Sequence, residues 1–172
     1  MSAAVGRLRG LRVCAVLAAG SLVYGCSSGI ASPQEGLPVI EACFATAQGP
    51  VEVALEVAST AEQRRKGLMG RTSLAPDAGM LFEYQEPREA SHGFWMYQTL
   101  IPLDIAYLNR DGVIGSIREM VPCSSANGSG CPTYPAGVPF IKAVEMNAGF
   151  FLEHGIRRGD RLYLGAGNCP TP

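Results

Sequence analysis

The chain has 172 residues, room for one domain of ordinary size, and its 47% apolar content excludes wholesale disorder. Its 14 Lys and Arg against 15 Asp and Glu leave no basic surplus to neutralise phosphates, so nucleic acid is not the expected partner. Residues 1–25 read as a signal peptide: Arg7, Arg9 and Arg12 precede a short apolar stretch over 13–23, and small residues close it. That stretch falls well short of the ~20 residues a membrane-spanning helix needs. Without the leader, 11 bases face 15 acids, a charge of −4. A chain of that length buries enough surface to fold around its own core without a metal.

Val23-Tyr24-Gly25-Cys26 resembles a bacterial lipobox, which implies cleavage before Cys26 and lipidation of its sulfur. The expected location is the cell envelope, facing the periplasm, with the lipid in a membrane. Ser27 follows the Cys instead of the Asp of an inner-membrane signal, which points to the outer membrane. The alternative is ordinary cleavage after Ala31, giving a soluble periplasmic protein. Residues 26–37 are small, polar and Pro-containing, as a flexible tether would be. A single domain then occupies 38–169.

Strands are expected over 38–44 and from Val51, where Val51, Val53, Leu55 and Val57 alternate with Glu52 and Glu56 as on a half-buried antiparallel strand. Ser59 and Glu62 form a capping box for a helix over 60–69. More strands are expected over 80–85, 92–98, 104–109, 113–121, 140–146 and 161–164, with Asp111-Gly112 as a hairpin turn. Asn147 is the expected N-cap of a second helix over 148–154. About eight strands and two short helices predict a mainly β (α+β) fold, an antiparallel β-sandwich or partly open barrel. Four Cys remain after Cys14 and Cys26, an even number that suits an oxidising compartment. Cys123 and Cys131 share a loop and are expected to pair, leaving Cys43 with Cys169. No Cys-x-x-Cys spacing favours a metal site instead.

Three blocks carry a family resemblance. The first is Arg65-Lys66-Gly67-Leu68-Met69-Gly70-Arg71 followed by Gly79-Met80-Leu81-Phe82. The second is Phe94-Trp95-Met96-Tyr97-Gln98-Thr99-Leu100-Ile101-Pro102-Leu103-Asp104-Ile105, and the third Val144-Glu145-Met146-Asn147-Ala148-Gly149. The chain resembles domain-of-unknown-function family 192 over about 50–164. The resemblance implies a small, mainly β domain, often exported, with no agreed catalytic activity.

Candidate site residues come from these blocks. Trp95, the only Trp, lies between Phe94 and Met96 on an expected strand and faces opposite to both. It is either a core anchor or a stacking platform for a sugar or aromatic ring. Asp104, Glu119 and Glu145 sit among strand apolars, where a carboxylate needs a partner or a wet cavity. Arg71 and Arg118 are candidate partners. The expected ligand-binding set is Trp95, Thr99, Asp104, Arg71, Glu119, Glu145 and Asn147, holding a small molecule or glycan. A catalytic role is not the favoured reading. The alternatives are a hydrolase using a pair among Asp104, Glu119 and Glu145, and a structural lipoprotein that binds a partner. His92 and His154 are the only His, and neither stands near a motif-like Ser. The Met residues lack copper-carrier spacing and read as core. No phosphate loop or dinucleotide fingerprint is present, so no cofactor or metal is expected.

Overall fold

The computed structural model describes residues 29–125 and 127–170; the expected signal peptide over 1–25 and Cys26 lie outside the described residues. The elements are β1 (Val39–Thr46), β2 (Gly49–Ala58), α1 (Ala61–Lys66), β3 (Ala78–Arg88), β4 (Gly93–Trp95), β5 (Leu103–Leu108), β6 (Ile114–Met120), β7 (Thr133–Pro135), β8 (Phe140–Asn147), α2 (Phe150–Glu153) and β9 (Arg161–Leu164). Seven strands form one sheet in the order β6-β5-β8-β3-β2-β1-β9, and β4 pairs with β7 in a separate ribbon. The sheet curls until its two edges meet. Val113 bridges to Arg161, with Ile114 N donating to Asp160 O and Leu162 N to Gly112 O, both at 2.9 Å. This is the expected partly open barrel: curling far enough to touch removes part of an exposed edge.

The alternation in β2 works as expected. Val53 and Leu55 are buried, and Glu52 and Glu56 face away from that core. Its pairing is antiparallel with β1 but parallel with β3. The capped helix between β2 and β3 makes that connection a crossover, which returns the chain in the same direction. The cap sits one residue later than Ser59–Glu62. Gln63 N donates to Thr60 Oγ1 at 3.2 Å and Thr60 N to Gln63 Oε1 at 2.9 Å, because Thr60-x-x-Gln63 satisfies the same reciprocal pattern. Gly67, at a φ of 48°, stops the helix short of Met69.

The second helix departs further. Its N-cap is Gly149, not Asn147, and α2 has no local side-chain cap. Asn147 ends β8 and donates from Nδ2 to the carbonyls of Leu74 and Ala75. The cap comes across the sheet: an Asp104 carboxylate oxygen accepts from Gly149 N at 2.9 Å.

Two apolar layers result. The inner core gathers Phe44, Leu55, Leu81, Leu108, Val144 and Leu162 from around the curl, with Phe150 and Phe151 packed into it. The outer layer covers the convex face of β3, β8, β5 and β6 with Met80, Phe82, Ile105, Tyr107 and Phe140. Above it lie Leu68, which follows α1, and Phe94 from β4. Both expected disulfides form. Cys43–Cys169 ties the tail to β1, and Cys123–Cys131 closes the loop before β7.

The segment read as a flexible tether packs on the domain from Ala31 onward. Ala31 N donates to Gln98 Oε1 at 2.9 Å, and buried Gln34 donates from Nε2 to the carbonyls of Gly67 and Gln63. The physical reason is the end of α1, where the Gln34 amide donates to Gly67 O and adds a second donor to Gln63 O, which also accepts from Gly67 N.

Candidate functional site: a basic, aromatic cleft over a buried carboxyl

Glu145 lies on β8, between β3 and β5, opposite Met80 and Ile105 in the register. Side chains alternate along a strand, so Val144 and Met146 enter the inner core while Ala143 and Glu145 face the outer layer. Glu145 is only 4% exposed, and no hydrogen bond or ion pair reaches its carboxyl from the described residues. Burial pushes its pKa up to about 8. The carboxyl is therefore protonated at neutral pH and can act as an O–H donor. It lines a cavity of about 30 Å³ together with Arg64, Leu68, Phe94, Trp95 and Thr99. That space is on the scale of one hydroxyl group.

Each wall has a local reason to be there. In β4, Phe94 turns inward, so Trp95 turns outward and is 45% exposed. The ring is about half exposed and is not a core anchor. Tyr97 lies beside it, with centroids 5.1 Å apart and planes 34° from parallel. The strand expected over 92–98 ends at Trp95 because the chain turns at Gln98, whose φ is 54°. That turn buries Thr99, and Gln98 is fastened on two sides, its N donating to Cys123 O and its O accepting from Gly70 N.

Arg64, Arg65, Phe94 and Trp95 also line a wider cleft of about 320 Å³, which adds Tyr84, Arg88 and His92. Its volume is at the low end of the roughly 300–1,000 Å³ of small-molecule sites. Arg64 and Arg88 hold their guanidinium carbons 4.6 and 5.4 Å from the Tyr84 ring centroid. Arg64 also donates to the carbonyls of Ser59 and Glu83. Burial raises the Tyr84 pKa against the lowering pull of both arginines. Burial, and then Arg88, lowers that of His92 and favours its neutral form, which lies 3.2 Å from Arg88 through Nδ1.

Of the seven residues expected in a ligand site, Trp95, Thr99 and Glu145 come together here and four lie elsewhere. Asp104 and its cross-strand neighbour Glu119 occupy the opposite face of the sheet, at a separate cavity near α2. Asp104 caps α2, and its pKa is raised chiefly by burial. Glu119 is exposed, so burial places no demand on it. Arg71 grips Glu56 with two contacts of 2.6 Å and also reaches Gln34 O, which serves the docked N-terminal segment. Asn147 pins the loop at 74–75. Arg118 meets the carbonyls of Pro135 and Ala136 instead of a carboxylate. The residues missed by sequence reasoning are Arg64, Arg65, Tyr84, Arg88 and His92. The run Arg64-Arg65-Lys66 was a visible signal, but a basic helix end is explained equally well by the helix dipole.

A curled β-sheet domain carrying a basic aromatic cleft on its convex face is the class defined by this geometry. The chain belongs to the DUF192 family, described as "Uncharacterized ACR", whose profile matches residues 43–164. Among solved structures it is similar to a proposed transcription regulator from Sinorhizobium meliloti 1021, with 32% identity and a TM-score of 0.68, over 76% of this chain and 97% of that one. It is also similar to a protein of unknown function from Novosphingobium aromaticivorans DSM 12444, with 30% identity and a TM-score of 0.68, over 80% of this chain and 94% of that one. No curated protein matches the chain. The family and these neighbours establish no biochemical activity.

Proposed function

We propose that this is an exported envelope domain, lipid-anchored through Cys26, that binds a small molecule or glycan in the cleft between Trp95 and Glu145. The observation that carries the binding reading is the unpartnered, buried Glu145 carboxyl at the foot of a cleft. A buried carboxyl is costly without a hydrogen-bond partner, and this one opens onto a small cavity, so its placement is best explained by an acceptor it meets there. An exposed indole beside it supplies a stacking wall. The three sequence blocks converge on this point, through Arg65 and Phe82, Phe94 to Thr99, and Glu145. A hydrolase that pairs Glu145 with Asp104 or Glu119 is not favoured, because Glu145 faces the opposite side of the sheet from those two. The Sinorhizobium protein is described as a proposed transcription regulator, yet the two helices of the described residues, α1 and α2, have six and four residues, too short for a recognition helix in the major groove.

Because Trp95 is the only Trp, its emission reports this cleft alone. Titration with mono- and disaccharides should shift that emission, and Trp95→Ala should abolish binding seen by calorimetry with a nearly unchanged melting temperature. A melting loss of many degrees, or no response to any sugar, overturns the pocket reading. Two disulfides support the oxidising compartment that export requires. Labelling with radioactive palmitate tests the anchor: incorporation lost in Cys26→Ser supports it, and equal or absent incorporation refutes it.

A further inference from the structure

The cleft has a charge that the rest of the chain does not. A protein with more acids than bases gathers Arg64, Arg65, Lys66 and Arg88 around two joined cavities whose only acid is the buried Glu145. None of these four is neutralised by an ion pair: the one salt bridge among the described residues is Arg71–Glu56, on the other side of α1's crossover. Arg64 and Arg88 are held instead by neutral groups, carbonyl oxygens, a phenol ring and an imidazole. The side chains of Arg65 and Lys66 make no hydrogen bond among the described residues, and Arg65 is exposed at the cleft. Positive groups fixed at a concave surface without counter-charges focus their field into it. Guanidinium forks in turn match the planar or tetrahedral oxygens of carboxylate and phosphate.

We propose that the ligand is an anionic saccharide, whose carboxylate or phosphate is taken by Arg65, Lys66 and Arg88 while its ring stacks on Trp95. This rests on the pocket reading above and names its ligand class. Thr99 and Glu145 in the inner cavity, with room for about one hydroxyl, suit a hydroxyl of such a sugar, and Arg64, Arg65 and Lys66 line the same space. Arg65 lines both cavities, Arg88 the outer one and Lys66 the inner one, so the anion belongs where the two cavities meet.

The test compares four probes on the purified protein by Trp95 emission and calorimetry: glucuronic acid, glucose 6-phosphate, glucose and inorganic phosphate. The two charged sugars should bind about tenfold more tightly than glucose at low salt, the gap narrowing as the Debye length shortens. Arg65→Gln with Lys66→Gln, changes at side chains that make no hydrogen bond among the described residues, should remove the preference, so that the charged sugars bind no more tightly than glucose. Preference for glucuronic acid or for the phosphate distinguishes a uronate-type from a sugar-phosphate ligand, and either supports the proposal. Equal binding of glucose and the charged sugars overturns the anionic class while leaving the pocket intact. Inorganic phosphate matching glucose 6-phosphate without moving Trp95 also overturns it, because only a bare anion would then be recognised. Silence of every probe takes down the pocket reading as well.

Discussion

Replacing Glu145 with glutamine should convert a pH-sensitive protein into a less sensitive one. In the unfolded chain this carboxyl titrates near 4.5, and in the fold burial moves it to about 8. Between those values the folded state holds a proton that the unfolded state releases, so wild-type stability declines as pH rises across that window. Below the lower value the contribution is fully present, and above the upper one it is gone. Each pH unit is worth about 1.4 kcal/mol, which sets a ceiling of about 5 kcal/mol over the interval. Water entering the cavity on ionisation lowers that ceiling, and a change of about 2 kcal/mol or more is the working expectation. The Glu145→Gln side chain keeps the shape and cannot ionise. Urea denaturation of both proteins at pH 5, 7 and 9 gives the difference between them at each pH, which cancels every other titrating group. The variant should approach wild type at pH 5 and exceed it at pH 9. Parallel stability profiles would show that Glu145 is solvated or paired in solution, and the buried-donor argument would fall.

Asp104→Ala should cost about 1–2 kcal/mol in urea denaturation, because Gly149 N at the start of α2 loses its acceptor. Removing both Cys43 and Cys169 opens a connection of 126 residues, and the chain-entropy relation puts the loss near 5 kcal/mol; for the 8-residue Cys123–Cys131 closure it is about 2.5 kcal/mol. Denaturation of each double Ser variant should rank them in that order, and the reverse ranking would contradict it. At Gly70, where φ is +75°, an added Cβ would stand 1.9 Å from Ala31 O. Gly70→Ala should therefore release the docked N-terminal segment, read as faster proteolysis within 29–37 and unchanged cleavage of the barrel.

The fold was largely legible because it rests on local chemistry. Alternation marked β2, Asp111-Gly112 marked the β5–β6 hairpin, and β9 was found at its full length because its flanks are turn residues. What local chemistry could not carry was pairing. Nothing in the β2 pattern tells an antiparallel neighbour from a parallel one, since both faces repeat every two residues. Asn147 failed as a cap for a related reason. Its cap propensity was real, but tertiary structure offered its amide two loop carbonyls and supplied the helix from Asp104 instead. The site was half legible. Trp95, Thr99 and Glu145 stand out as polar or aromatic residues in apolar blocks, whereas the grouping of Arg88 and Tyr84 with Arg64 exists only after the crossover has laid α1 beside β3.

That division bears on how the cleft works. The outer layer is apolar along β3, β8 and β5, with Met80, Phe82, Ala143 and Ile105 around the one carboxyl. An apolar side chain of similar volume at 145 would complete that layer and remove a desolvation penalty, so a Glu145→Met variant should be more stable at neutral pH and above. A fold in which pattern, capping and packing otherwise agree tends to break its own rules where it acts. Here the break is confined to one proton at the centre of the sheet's convex face. The same variant should lose saccharide binding, because the hydroxyl-sized space would then present a thioether where it had presented a donor. Gain of stability together with loss of binding is what a functional carboxyl predicts; gain of both, or loss of both, would make Glu145 a packing residue and nothing more.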